Sequence, residues 1–170
     1  ATILASPNFG YRYYLRQLGD RSVDGLDLSA VRVIYNGAEP ISAALCREFQ
    51  QRMAAARLPP HAMFPVYGLA EASVGVSTPE PGTALHTQIV DRHSLLVGAR
   101  PRALATTDHR DALEVVGVGR AAAPCELRIA GDDDAPLADG LVGHIQIRGA
   151  NVTAGYYRNP DSTRQLRTDD

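Results

Sequence analysis

Apolar residues recur at helical spacing near the start of the chain. Ser6 is predicted to cap this helix, Pro7 to occupy its first position and Gly19 to terminate it. The residues of its apolar face are Tyr11, Tyr14, Leu15 and Leu18. This spacing predicts a short amphipathic helix.

A second helical pattern lies between two short runs rich in β-branched, aromatic and other apolar residues. Ser42 is predicted to cap this helix, and Pro59-Pro60 to end it. The residues of its apolar face are Leu45, Phe49, Met53 and Ala56. The flanking runs, residues 31–35 and 62–66, predict strands. Strand, helix and strand with short connections predict a βαβ unit with parallel strands and a right-handed crossover.

The second half of the chain has a different pattern. Residues 126–129 and 144–148 alternate with period two and flank an acidic Gly/Asp loop at 131–140, which predicts antiparallel pairing. Residues 73–77 are compatible with a further strand. Residues 99–111 have no clean periodicity and are predicted to be irregular.

The predicted fold is therefore mixed α/β. A parallel βαβ sheet is followed by a small antiparallel sheet or a distorted barrel. We expect residues 1–111 to form the α/β part, with an irregular stretch near 91–111. We expect residues 112–170 to form an antiparallel β subdomain of the same domain.

Composition limits the possible functions. The 170 residues are 45% hydrophobic, enough to bury a sizeable core in one domain or two small subdomains. A net charge of -2 without a Lys/Arg run argues against a nucleic-acid partner and an anionic membrane surface. No apolar stretch approaches the roughly 18 residues of a transmembrane helix. The chain starts without Met and ends without a closing element, so we expect it to be a piece of a longer polypeptide.

Other chemistry-bearing residues show no site pattern. Cys46 and Cys125 have neither metal-ligand spacing nor a disulfide framework, so a reducing cytoplasm is expected. The five histidines lack ligand spacing. Residues 132–134 are all Asp but lack the alternating ligands and terminal Glu of a calcium loop.

Two segments follow the predicted parallel strands. Residues 36–40 follow the first strand and residues 67–71 follow the second, where parallel sheets bind ligands. Tyr67 has a flat face for a purine, Gly68 lets backbone approach a ligand, and Glu71 is a possible Mg2+ ligand. Taken alone, this run is equally compatible with a buried turn that binds nothing.

Three motifs in order resemble the adenylate-forming superfamily. They are Gly37-Ala38-Glu39-Pro40-Ile41, residues 64–72, and residues 143–149 leading to Val152 and Gly155-Tyr156. The superfamily contains acyl-CoA synthetases, amino-acid adenylation domains, luciferases and fatty acyl-AMP ligases. His144 stands where the superfamily usually has Glu, and it is expected to face solvent or a neighbouring strand.

The amino-acid sequence of these motifs is most similar to that of the fatty acyl-AMP ligases. The supporting segments are Ser6-Pro7-Asn8-Phe9 and Leu26-Asp27-Leu28-Ser29. Ala70 occupies a position where most other branches carry a Thr that contacts the adenylate phosphate. These ligases also carry an inserted segment, which the resemblance would place at about residues 91–111.

The resemblance implies a role for each motif residue. Three consecutive residues would line the adenine through their backbone: Gly37, Ala38 and Glu39. Tyr67 would stack on the adenine, Gly68 would leave room for the nucleotide, and Ala70 would lie beside the phosphate. Glu71 would be the catalytic residue that coordinates Mg2+ on the phosphates of ATP.

The implied activity is ligation of a fatty or other carboxylic acid to AMP, with release of pyrophosphate. Transfer to the phosphopantetheine thiol of an acyl carrier protein, free or in a polyketide or peptide synthetase, would follow; coenzyme A is a less favoured acceptor. The alternatives are an acyl- or aryl-CoA synthetase and, in another class, a non-catalytic nucleotide-binding or interaction module. The superfamily's phosphate loop, ribose-binding Asp and adenylate-contacting Lys are absent from these residues, and Asp169 and Asp170 do not take those roles. We therefore expect the 170 residues alone to be inactive.

Overall fold

Three parallel strands organise the first half of the chain in a computed structural model, which describes residues 1–123 and 125–168. They are β1 (Ile3–Ala5), β2 (Val33–Asn36) and β3 (Met63–Pro65), in the order β1-β2-β3. Both pairs are parallel, which confirms the predicted βαβ unit. β1 was not predicted, because a three-residue strand is too short to show a period.

Helix α1 (Asn8–Leu18) confirms the first predicted helix but not its cap. Pro7, not Ser6, occupies the N-cap position, and no side chain at that position accepts a hydrogen bond. The Glu39 carboxylate accepts from the Phe9 amide at 2.8 Å instead. Gly19 ends the helix with φ 54°, as predicted. The cap prediction was wrong because the acceptor comes from a residue 30 positions away.

Helix α2 (Ala43–Met53) begins as predicted, with the Ser42 hydroxyl accepting from the Leu45 amide. The helix ends before the two prolines. A 3-10 turn at Ala54–Ala56 follows, and Arg57 then adopts a left-handed conformation at φ 63°. The prolines lie in the connection to β3, so the helix is shorter than predicted.

The main core lies between these two helices and the parallel sheet. Ile34 and Met53 are almost fully buried, and the Tyr11 and Phe49 rings meet edge to face at 5.0 Å. The four apolar residues predicted for this helix are all buried: Leu45, Phe49 and Met53 in α2, and Ala56 in the 3-10 turn after it. The periodicity of α2 therefore identified its core face, whereas Tyr14 on α1 stays 42% exposed.

The described residues of the second half form three two-stranded antiparallel sheets. β4 (Ser77–Thr78) pairs with β7 (Arg120–Ala121), β5 (Thr87–Asp91) with β6 (Ala112–Val116), and β8 (Cys125–Ala130) with β9 (His144–Gly149). Helix α3 (Pro160–Gln165) follows. The small-sheet alternative is confirmed, and no closed barrel forms within residues 1–123 and 125–168.

One local prediction for this half was inaccurate. Residues 73–77 do not form a strand, because Ser73 and Val74 have φ of 52° and 77°, and only Ser77 joins β4. The β5–β6 hairpin crosses the predicted boundary between residues 111 and 112, and that boundary stays a prediction. His144 is exposed, and its Nε2 lies 2.9 Å from Asp132 Oδ1.

The segment at 92–111 connects the two strands of the β5–β6 hairpin and is mostly irregular, as predicted. It is nevertheless anchored. The buried Asp91 carboxylate accepts from the His93 amide at 2.8 Å and from the Arg102 guanidinium. Gly98 and Ala99 pair through their backbone with Val142 at 2.8 and 2.9 Å. Its identity as an insertion stays a prediction.

Among the described helices, the two longest have 11 residues. None of the described helices has the length and apolarity needed to cross a membrane.

Candidate functional site

The carboxyl ends of β2 and β3 lie side by side. Asn36 pairs with Pro65, and the Val66 amide donates to the Asn36 carbonyl at 2.8 Å. A Cβ atom at Gly37 would lie 2.9 Å from both the carbonyl oxygen and Cγ2 of Val66. Only glycine allows this approach, so the Gly37 motif and the Tyr67 motif start from adjacent backbone at one edge of the sheet.

The loop after β2 is held by the start of α1. Buried Asn8 accepts from Asn36 Nδ2 at 3.0 Å and donates to the Pro40 carbonyl at 2.5 Å. The Glu39 carboxylate accepts from the Phe9 amide. Ala38, at the centre of the loop, has φ 68° and is exposed. The fixed loop therefore presents Ala38 and its backbone to solvent at the edge of the sheet.

The loop after β3 folds back on itself. Tyr67 and Ser77 exchange backbone hydrogen bonds at 3.1 and 3.0 Å, which closes the segment between them. A Cβ atom at Gly68 would lie 1.5 Å from the Val74 carbonyl oxygen, so no other residue fits there. Tyr67 is half-buried and packs against the small cluster of Ala72, Val76 and Cys125.

Glu71 lies in a single 3-10 turn, Ala70–Ala72, inside this loop. The phenol of Tyr156 donates a hydrogen bond to Glu71 Oε1. This bond lowers the pKa of the Glu71 carboxyl and raises the pKa of the Tyr156 phenol. Glu71 is therefore a carboxylate at neutral pH, and Tyr156 remains a hydrogen-bond donor.

The residues before Tyr156 contact the same loop. The Thr153 amide donates to the Glu71 carbonyl at 2.7 Å. Asn151 Nδ2 donates to the Ala72 carbonyl at 3.0 Å, and the Ser73 hydroxyl donates to the Asn151 carbonyl at 3.0 Å. The motif containing Gly155-Tyr156 was noted in the sequence, but its contact with Glu71 was not predicted. No local pattern indicates a contact across 85 residues.

The seven predicted site residues divide between these two loops. Gly37, Ala38 and Glu39 lie in the first; Tyr67, Gly68, Ala70 and Glu71 lie in the second. Ala70 is exposed and Glu71 half-buried. The strand ends bring the two loops together as the βαβ pattern predicts, whereas the roles of the individual residues stay predictions.

The Glu71 carboxylate suits a cation that is bound by the protein and by phosphates together. In the part of the chain that the structure describes, no group of three or more His, Cys, Asp or Glu side chains is placed to hold a metal. Mg2+ in nucleotide sites is commonly held by one or two carboxylates together with substrate phosphates and water. A charged, partly exposed Glu71 fits that coordination and does not require a protein cage.

Comparison with known proteins places these features in context. A family model described as AMP-binding enzyme matches residues 1–157. The chain is 37% identical over 163 residues to the 4-hydroxyphenylalkanoate adenylyltransferase of Mycobacterium bovis. It is also 37% identical over 164 residues to the long-chain-fatty-acid–AMP ligase FadD26 of Mycobacterium tuberculosis. The alignments cover 96% and 95% of this chain, and 26% and 27% of the two relatives.

A solved structure gives the same result for the fold. The fatty acyl-adenylate ligase from Legionella pneumophila, in complex with acyl adenylate and pyrophosphate, superimposes with a TM-score of 0.85 at 30% identity. The match covers 96% of this chain and 28% of that protein. The chain thus spans about a quarter of the length of the relatives that it matches.

Proposed function

The chain belongs to the AMP-binding enzyme family, and we propose on that premise that the complete polypeptide activates a fatty or other carboxylic acid with ATP. The products are an acyl-adenylate and pyrophosphate. The names of the relatives support this proposal, since they describe an adenylyltransferase, a fatty-acid–AMP ligase and an acyl-adenylate complex.

One structural observation carries the proposal. Gly37 contacts Val66 directly before Tyr67, so two loops with close backbone approach meet where parallel sheets bind nucleotides. The Glu71 carboxylate, charged at neutral pH, lies four residues beyond Tyr67. An aromatic face, a glycine and an anionic cation ligand therefore occur in one short stretch.

The reaction joins two anions. A carboxylate oxygen of the acid attacks the α-phosphorus of ATP, and the bond from that phosphorus to the bridging oxygen breaks as pyrophosphate leaves with the electron pair. A bound Mg2+ would supply positive charge that offsets the negative charge developing on the phosphate oxygens. Glu71 would hold that ion.

The remaining residues bind and orient the nucleotide. Tyr67 presents its ring to the adenine, and Gly37, Ala38 and Glu39 line the adenine through backbone groups. Gly68 leaves room for the nucleotide, and Ala70 lies beside the phosphate. Holding ATP in this orientation lowers the activation barrier, because the attacking and leaving oxygens must be in line at the α-phosphorus.

We further propose that the phosphopantetheine thiol of an acyl carrier protein, not coenzyme A, attacks the acyl carbonyl; the thiol loses its proton, the acyl–phosphate bond breaks and AMP leaves. The names of the relatives specify the AMP ester and not the CoA thioester as product. Cys46 and Cys125 are free thiols, which agrees with a cytoplasmic location for the enzyme.

Glu71→Gln in the complete polypeptide tests the activity. Acid-dependent exchange of labelled pyrophosphate into ATP should fall by about 100-fold or more, because a neutral amide replaces the anionic ligand. Glu48→Gln, on the exposed face of α2, is the matched control and should keep the wild-type rate. Wild-type exchange in Glu71→Gln would overturn the metal role. Absence of exchange in the wild-type enzyme, across aliphatic and aryl acids, would overturn the activity.

The acceptor is tested separately, by product analysis. The enzyme is incubated with ATP, acid and either coenzyme A or a phosphopantetheinylated carrier protein, and the thioesters are measured by mass spectrometry. The proposal expects acyl-adenylate without an acceptor and thioester with the carrier protein. Efficient acyl-CoA formation would identify a CoA synthetase instead.

A further inference from the structure

The local structure around Glu71 does not by itself fix the position of its carboxylate. Glu71 lies in a three-residue 3-10 turn, between extended Leu69 and left-handed Ser73. A turn of three residues has no helical neighbours at i±3 or i±4 that could hold a side chain. A Glu side chain has three rotatable bonds, so a partner from elsewhere in the chain is needed to hold one rotamer.

The segment at 151–156 supplies that partner and also holds the backbone. The Thr153 amide binds the Glu71 carbonyl at 2.7 Å, and Asn151 Nδ2 binds the Ala72 carbonyl at 3.0 Å. Tyr156 then binds the Glu71 side chain through Oε1. The main chain and the carboxylate of Glu71 are thus fixed by the same short segment.

Tyr156 is itself held by α3. Its amide donates to Thr163 Oγ1 at 2.9 Å, and Thr163 Oγ1 donates to the Asn159 carbonyl at 2.8 Å. Gly155 has φ 138°, and a Cβ atom there would lie 2.4 Å from Thr163 Cγ2. The close approach of Gly155 to Thr163 therefore sets the direction in which the Tyr156 ring leaves the backbone.

We infer that Tyr156 is a positioning residue for Glu71: its phenol holds Oε1, which would leave Oε2 to bind the cation on the ATP phosphates. This inference rests on the proposed metal role of Glu71. Mg2+ requires nearly octahedral geometry and gives up water reluctantly, so its affinity depends on the orientation of each protein ligand. Partners of ligating carboxylates typically change metal affinity or activity by 10- to 100-fold when they are removed.

The experiment compares Tyr156→Phe with Tyr157→Phe in the complete polypeptide. Each variant loses one hydroxyl, but Tyr157 is 86% exposed and its ring contacts Arg158. Mn2+ binding is measured by electron paramagnetic resonance with an ATP analogue that has a methylene bridge between the α- and β-phosphates. Tyr156→Phe should weaken Mn2+ binding about 10-fold. Tyr157→Phe should bind Mn2+ like the wild type.

Kinetics separate positioning from a general loss of structure. In pyrophosphate exchange, Tyr156→Phe should raise the Mg2+ concentration for half-maximal rate by about 10-fold, with a nearly unchanged rate at saturating Mg2+. Thr163→Val, which removes the acceptor of the Tyr156 amide, should shift the same midpoint in the same direction. Wild-type Mn2+ affinity in Tyr156→Phe would overturn the inference, even with a lowered melting temperature.

The Glu71→Gln background distinguishes the two proposals. If Tyr156 acts through Glu71, adding Tyr156→Phe to Glu71→Gln should not weaken Mn2+ binding further. An additive 10-fold loss would overturn the positioning role alone. Unchanged Mn2+ affinity in Glu71→Gln itself would overturn the metal role of Glu71, and the positioning role with it.

Discussion

A Cβ atom built on Gly68 would lie 1.5 Å from the carbonyl oxygen of Val74. The two residues face each other across the loop that Tyr67 and Ser77 close by backbone pairing. Glu71 lies between them in sequence. The position of the candidate cation ligand therefore depends on a contact that only glycine permits.

Gly68→Ala is expected to open this loop. Relieving the overlap requires the backbone to move, at a cost of about 3 kcal/mol. Hydrogen exchange of residues 67–77 in the complete polypeptide should accelerate. Gly75→Ala is the control, because no atom lies within 4 Å of a Cβ built there. Equal acceleration in both variants would contradict the steric argument.

The Asp91 carboxylate is expected to make the segment at 92–111 acid-sensitive. Asp91 is 5% exposed, and the Arg102 guanidinium, followed by the His93 amide, lowers its pKa. The ionised Asp91 carboxylate contributes fully to the stability of this segment above the ordinary carboxyl pKa near 3.8. This contribution is lost as the pH falls through the lower pKa that Asp91 has in the folded protein. Asp91→Asn should loosen the segment at neutral pH and remove this part of the acid dependence.

Hydrogen exchange of residues 92–111 between pH 2.5 and 5, corrected for intrinsic rates, measures this effect. Asp133→Asn, on the exposed Gly/Asp loop, is the charge-matched control and should leave the segment unchanged. An acid transition of the segment that persists in Asp91→Asn would show that another group is responsible.

Arg47 is expected to dock the β5–β6 hairpin against α2. Its Nη1 donates to Glu114 Oε2 at 3.0 Å, and its Nη2 contacts Glu114 Oε1 and the Thr87 hydroxyl. Arg47→Ala should weaken the docking by about 1 kcal/mol, because the pair is partly exposed. Hydrogen exchange measures the weakened docking, and it should be faster in β5 and β6. Arg47→Lys keeps the charge but not the bidentate contact with Glu114, so it should accelerate exchange less than Arg47→Ala does. A larger effect of Arg47→Lys than of Arg47→Ala would contradict the role of the ion pair.

The proposed stacking of Tyr67 on the adenine predicts a specific order of ATP affinities. Tyr67→Phe keeps an aromatic face and should change the KM for ATP little. Tyr67→Leu keeps apolar bulk against Ala72 and Val76 but loses the ring, and should raise the KM for ATP about 10-fold. Acid-dependent pyrophosphate exchange at varied ATP measures both. Equal KM values for the two variants would rule out stacking.

The sequence predicted those features that depend on local periodicity. Ser42, Phe49 and Met53 show this for α2, whose cap and buried face follow from spacing alone. The adjacency of Gly37 and Tyr67 also followed, because parallel βαβ units place consecutive strand ends at one edge.

Features set by distant contacts were not predictable in this way. Glu39 replaces Ser6 at the start of α1, and Tyr156 reaches Glu71 across 85 residues. Val74 interrupts an apparently strand-like run because its loop requires φ 77°. In each case the deciding partner or backbone conformation is fixed by tertiary packing, which a single sequence does not encode as a local pattern.

Chemical labelling of Cys46 is expected to measure local unfolding beneath the loop that follows β2. Cys46 is fully buried, Asn36 Nδ2 donates to its Sγ at 3.4 Å, and burial raises the pKa of its thiol. Alkylation requires an exposed thiolate, so an opening that costs about 3 kcal/mol slows modification about 100-fold relative to the denatured protein. Iodoacetamide labelling at pH 8, followed by peptide mapping, measures this ratio for Cys46.

Asn36→Ala removes the amide that holds both Cys46 and Asn8, and should raise the native labelling rate. Native labelling of wild-type Cys46 at the denatured rate would contradict the closed packing of α2 against the end of β2.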